Sequence, residues 1–204
     1  MKIIVACEES QRVCIAFRNR GHEAYSCDLK DCSGGHPEWH LKGDCFQYID
    51  DSYDLMIAHP VCKRLTNAGV RWLSVAPNGK NLVEMWCELY KASNFYLKLR
   101  NSPINKKAIE NPIFHCYAAM YLGNPNRYIV QPHYFGEKAF KATGFELHNL
   151  PPLKRTHYLQ IPKKGSEEYK KWSFIHRMPP GPNREKLRSK TFQSIANAMA
   201  EQWG

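Results

Sequence analysis

Long hydrophobic runs are missing from this chain. No apolar stretch approaches the roughly 18 to 20 residues that a membrane-spanning helix needs, so no membrane partner is expected. The opening stretch MKIIVACEESQR has a short apolar run that soon meets Glu8 and Glu9, so it reads as a first strand and not as an export signal. A cytoplasmic location is the expectation. Paired cysteine spacing is missing too. Eight cysteines are scattered through the sequence and none follows Cys116, which excludes the disulfide scaffold of a small secreted domain and favours reduced thiols. Acids are in deficit: 19 Asp and Glu face 29 Lys and Arg, a net charge of +10, and this favours an anionic partner such as nucleic acid, a nucleotide or an acidic surface. Internal repeats and low-complexity tails are absent. What remains is a chain of 204 residues, 43% hydrophobic, long enough to bury one substantial core.

Strand and helix patterns alternate along it. KIIVAC is a short β-branched run, HEAYSCDL a second strand ending near Asp28, YDLMIA a third and KKAIEN a fourth, broken by Pro112. Between the first two lies SQRVCIAFRNRG, with Val13, Ala16 and Phe17 at helical spacing, Ser10 as the expected N-cap and Gly21 as the terminator. LVEMWCELYKASNFYLKLRN is the strongest amphipathic helix, and TFQSIANAMA near the end aligns Phe192, Ile195, Ala196 and Met199 on one face. CSGGHPEWHLKGDC reads as a loop. This alternation predicts an α/β fold with a largely parallel sheet, whose ligands sit at the carboxyl ends of the strands. CEES, Asp28, HPVC and ENP fall at those ends.

Two groups there carry chemistry. In IAHPVCKRLT, Cys62 follows a proline that stops strand pairing and precedes Lys63 and Arg64, cations that favour the nucleophilic thiolate. In AIENPIFH, Glu110 and Asn111 close an apolar strand. That pair is either a turn element or, set beside a cysteine on a neighbouring strand end, an acid and a support for a heterocycle edge. Cys32, His36, His40 and Cys45 have the residue types of a tetrahedral zinc site but no recognised spacing, so no metal is expected.

Strand plus HPVC, followed by AIENP, resembles the DNA cytosine-5 methyltransferases, and the chain is similar to short methyltransferase-like proteins of phage and prophage type. The resemblance implies a Rossmann-like, mostly parallel methyltransferase-type sheet with helices on both faces and a reduced target-recognition region. It implies Cys62 as nucleophile at cytosine carbon 6, Glu110 as the acid at the ring nitrogen and Asn111 as its support. It implies a site for S-adenosylmethionine built from Cys7, Glu8, Glu9 and Ser10, from Asp28 and Leu29 (ribose), from Asp44 and Cys45 (adenine), and from His59 and Pro60. Lys63, Arg64, Gln131, His133, Lys141 and Thr143 are the implied substrate contacts, with FKATGF an ordinary turn on the alternative reading. The implied organisation is a methyltransferase-like core at 1–150, a short basic substrate-binding region at 151–190, and a final helix at 191–204 that packs back on the core. DNA or a pyrimidine nucleotide, in the cytoplasm of a bacterial host, is the implied partner.

The first loop departs from the family's glycine-rich pattern: ACEESQ has two acids and no glycine. The usual Pro-Pro-Cys is Pro-Val-Cys, and Lys63 replaces the usual glutamine. Tyr158, Tyr169 and Trp172 interleave the cations of 154–190, a composition suited to phosphates and stacked bases or to a solvated surface. A protein that kept the fold but only binds nucleic acid or nucleotide is therefore the alternative to an enzyme.

Overall fold

The computed structural model describes residues 1–110, 113–181 and 184–204. Seven strands, β1 (Lys2–Ala6), β2 (Glu23–Asp28), β3 (His40–Lys42), β4 (Leu55–Ala58), β5 (Lys106–Glu110), β6 (Tyr128–Val130) and β7 (Thr143–His148), form one sheet. Their order is β3-β2-β1-β4-β5-β7-β6. The first five are parallel, β7 runs antiparallel to β5, and β6 runs antiparallel to β7.

Burial on both faces explains the near-continuous apolar strands. Ile3, Val5, Leu55, Ile57 and Ala108 point to one face, where helix α1 (Arg12–Arg18) contributes Val13, Ala16 and Phe17. Ile4, Ala6, Met56, Ala58 and Ile109 point to the other. The helices that follow the strands are the short α2 (Asn67–Val70), then α3 (Leu82–Arg100) and α4 (Cys116–Leu122). α3 lays Met85, Leu89, Tyr96 and Leu99 onto the second face, and α4 adds Ala118 and Leu122. Four helices lie in the last quarter: α5 (Glu167–Trp172), α6 (Phe174–Arg177), α7 (Arg184–Ser189) and α8 (Gln193–Trp203). α8 returns to the first face, burying Ile195, Ala196, Met199 and Trp203 beside α1. The fold is thus α/β, with a mostly parallel mixed sheet and helices on both faces.

α3 is long because its ends are well made. Asn81 accepts from the Glu84 N–H at 2.9 Å while Glu84 accepts from the Asn81 N–H at 2.7 Å, a reciprocal capping box. Lys98 and Arg100 sit in the last turn, where cations suit the helix dipole. Buried Glu146 on β7 accepts from Tyr96 and Arg100 of α3 and from His148. That network pins α3 to the reversed strand.

Three local expectations are corrected. Ser10 is not the cap of α1: the N-cap is Gln11, in left-handed conformation and without a side-chain cap bond, and the free helical N–H groups go to Glu8 instead. The loop CSGGHPEWHLKGDC contains β3, because His40 to Lys42 pair with Ser26 to Asp28. FKATGF is not simply a turn, since Thr143 begins β7 and is buried there.

Candidate active site at the carboxyl edge of the sheet

Strand order reverses between β1 and β4. The chain leaves β1 into α1 on one face and runs on from β4 towards α3 on the other, so the ends of β1 and β4 form the switch point at which open α/β sheets bind their ligands. Cys7 and Glu8 leave β1 here, His59 and Pro60 leave β4, Asp28 closes β2 and Glu110 closes β5. The sheet therefore brings these residues to one edge.

Glu8 fills the first turn of α1. Its two carboxylate oxygens accept from the Val13 N–H at 2.7 Å and the Cys14 N–H at 3.1 Å, and its own N–H donates to Cys27 O at 3.0 Å. Burial raises its pKa, against the pull of His59, the two N–H groups and Arg12. The place where a helix N-terminus would receive an external anion is occupied by the protein's own carboxylate. Cys7, just before it, sits at φ 60°, a left-handed turn with a side chain where a glycine would leave space. Glu9 points the other way, to Lys186 of α7 at 2.8 Å. Burial works to raise its pKa, but the hydrogen bonds of Lys186 and Ser33 hold it below the ordinary value. Ser10 is half-buried and lies under the glycine turn: a Cβ on Gly34 would lie 2.5 Å from Gln11 Cβ and 2.9 Å from Ser10 O.

His59 and Glu110 meet at the centre. The His59 N–H donates to Ala6 O at 2.9 Å, fixing its backbone to β1. Its Nδ1 lies 2.7 Å from Glu110 Oε2, with the two side chains 9% and 25% exposed. Burial works to raise the Glu110 pKa, yet the hydrogen bond and charge of His59, with Lys141 behind them, hold it below the ordinary carboxylate value. His59 Nε2 is buried and has no hydrogen-bond partner among the described residues.

Cys62 lies on the loop that follows β4 and is exposed, as are Val61 and Lys63. The loop is anchored rather than loose. Leu65 is buried and its N–H donates to Cys62 O at 2.9 Å. His115, at the start of α4, donates its own N–H to Leu65 O at 3.0 Å and its Nε2 hydrogen to Arg64 O at 2.8 Å. A side chain at Gly69 would collide with the Lys63 carbonyl, so α2 can press against this loop only because residue 69 is glycine. Arg64 is committed to Glu88 of α3 at 2.6 Å and is 16% exposed, so its guanidinium braces the loop instead of standing open for substrate. Asn111 lies outside the described residues.

The outer part of the edge holds Asp28, Leu29, Asp44 and Cys45. Asp28 accepts from the Lys30 N–H at 3.0 Å, Asp44 accepts from the Phe46 N–H at 3.1 Å, and Leu29 is exposed. Behind them lie three thiols. A hydrogen bond to Cys45, then burial, raises the Cys7 pKa; that same bond lowers Cys45; and burial pushes Cys27 up to about 12. The nucleophilic form is disfavoured in Cys7 and Cys27, which are half-buried and buried, whereas Cys62 is exposed. The two histidines considered for zinc have other partners: His40 bonds Ser26 Oγ and Lys30 O, and His36 stacks on Trp39 with centroids 3.8 Å apart. No cluster of His, Cys, Asp and Glu suited to a metal occurs among the described residues.

The remaining expected contacts divide. Gln131 accepts from the Lys141 N–H at 3.0 Å, and Lys141 faces Glu110 and donates its Nζ hydrogen to Lys190 O at 3.2 Å. His133 instead is buried among Tyr134, Phe140 and Trp172, its Nδ1 on Ala139 O, and burial lowers its pKa. Thr143 donates its hydroxyl hydrogen to the nearby Lys141 O at 3.3 Å.

Sequence patterns do not reveal two features. Lys186 on α7 reaches the edge, and Arg12 ties Thr191 O to the start of α1 at 2.8 Å, both across most of the chain's length. His59 was expected among cofactor contacts, but its bonded partner is the proposed acid. No protein-family model matches the chain and no curated protein matches it significantly.

Proposed function

We propose that the chain is a cytosine-5 methyltransferase-like enzyme, acting on a pyrimidine in DNA or in a nucleotide through a covalent adduct with Cys62. The observation that carries this reading is the hydrogen-bonded His59–Glu110 pair, set where the sheet reverses order on the edge from which the exposed Cys62 loop leaves. In the proposed reaction the Cys62 sulfur bonds to carbon 6, the ring double bond shifts, and the ring nitrogen takes a proton delivered through Glu110. The product is an enamine with a nucleophilic carbon 5. A base in a duplex would have to flip out first. Lys141 lies near Glu110, and Lys186 and Lys190 near Glu9, so these cations on the same edge would hold phosphate.

The fit to S-adenosylmethionine is partial. Asp28 and Asp44 suit the hydroxyls and amine of a nucleoside, and the methyltransferase-type reading of the sheet would place them there. The α1 N-terminus, filled by Glu8, does not suit the donor's carboxylate. That mismatch supports a second reading, a protein of this fold that binds nucleic acid or nucleotide without methylating it.

Trapping separates the two. With S-adenosylmethionine present, a single-stranded oligonucleotide containing 5-fluorodeoxycytidine should be trapped on the wild-type protein, visible by intact mass. A methylated carbon 5 that carries fluorine has no hydrogen to lose, so the Cys62 adduct cannot eliminate. Cys62→Ala should form none while still binding the oligonucleotide. A wild-type protein that binds but never forms the adduct, with or without S-adenosylmethionine, would leave the binding reading.

A further inference from the structure

We infer that His59 and Glu110 act as one acid, with the working proton resting on the imidazole Nδ1 and not on the carboxyl; this rests on the cytosine-addition reading above. The direction of the bond follows from the charge of Glu110, which His59 and Lys141 hold ionised. An ionised carboxylate only accepts, so at 2.7 Å the hydrogen between Nδ1 and Oε2 belongs to the ring. A carboxylate in that state has no proton to give a ring nitrogen. The nearest group able to shed one is His59.

The second observation is the other ring nitrogen. A histidine kept only to orient a neighbour usually satisfies both nitrogens when buried. Here Nε2 is buried and unpartnered, while the backbone is fixed to β1. If the ring is to release Nδ1–H and remain neutral, Nε2 must carry its own hydrogen, so the active form is the imidazolium. The charged groups that face it are Glu110 on β5, with Lys141 near that acid, and Glu8 after β1, with Arg12 near it.

The step balances within the chain and the substrate. As the Cys62 sulfur bonds to carbon 6, the Nδ1–H bond breaks and its electron pair stays on the ring. The proton passes to Oε2, and the carboxyl gives a proton to the ring nitrogen of the base. Reversal returns the proton to Nδ1 when the sulfur leaves. His59 never touches the base, so it is a positioning and proton-holding residue.

The test is exchange of the carbon 5 hydrogen of a single-stranded deoxycytidine oligonucleotide for deuterium in heavy water. Exchange needs thiol addition and ring protonation but no methyl donor. The wild-type rate should fall on the alkaline side as the imidazolium is lost. His59→Asn keeps an N–H facing Glu110 but cannot release it; it should slow exchange about 100-fold, within the usual range for a general acid, and abolish the alkaline limb. His59→Gly should be slow too, and added imidazole should restore it. A His59→Asn protein that exchanges within about threefold of wild type, with an unchanged pH profile, overturns the inference and leaves the Cys62 reading standing. A wild-type protein with no exchange and no fluorocytosine adduct removes both.

Discussion

Glu110 shows how one residue's charge is maintained against its surroundings. Burial disfavours the carboxylate, and His59 more than offsets it, so the net displacement of the pKa is downward from 4.5. A carboxyl with a depressed folded pKa contributes stability above its unfolded value, and that stability is lost as pH falls through the folded value. Glu110→Gln should therefore melt below wild type near neutral pH, and the gap should close below about pH 4.5 as the wild type protonates. Thermal denaturation across that range reads it directly. An equal gap at both ends would mean that shape, not the His59 ion pair, is what Glu110 supplies. Glu8 has the opposite sign. Its raised pKa means that ionising it costs stability as pH rises, which the two N–H bonds from α1 partly offset.

Among the elements, α3 carries two attachments of different weight. Removing the cap with Asn81→Ala should cost about 1 kcal/mol, the usual value for a lost N-cap. Glu146→Ala strands Arg100 beside β7 and should cost about 3 kcal/mol, because a charge that has lost its counter-charge stays largely buried. Urea denaturation of the two variants would rank them; equal losses would mean that the Glu146 network is open to water. These same elements show what the sequence made legible. β1, β2, β4, β5, α1, α3 and α8 stand close to where apolar periodicity predicts them, since each buries a regular stripe against one sheet. β3 and β6 have three residues each, too few to show a period. β7 begins Thr-Gly, which reads locally as a turn, and it is strand only because β5 and β6 pair with it from both sides. The site follows the same division. Residues at strand ends could be placed from the sequence, but the bond between His59 and Glu110 depends on β4 lying next to β5, which spacing alone does not state.

At the scale of the whole molecule, a charge of +10 is useful only if part of it gathers at the site edge of the sheet. Lys141 does so from one part of the chain and Lys186 and Lys190 from another. Three phosphate contacts predict a slope of about −2 for log affinity against log salt on single-stranded DNA, at roughly −0.7 per contact. A fluorescence titration at several salt concentrations measures it. A flat dependence, or equal affinity for free deoxycytidine monophosphate, would mean that a mononucleotide is the ligand. The placement of α8 matters before any ligand arrives. It covers Val13 and Phe17 of α1, and Trp203 donates to Pro151 O at 2.9 Å. During synthesis, the apolar face of β1 and α1 is sealed only once α8, far along the chain, has been made. Until then the nascent chain exposes a sticky surface, and holding it soluble falls to chaperones or to the speed of elongation.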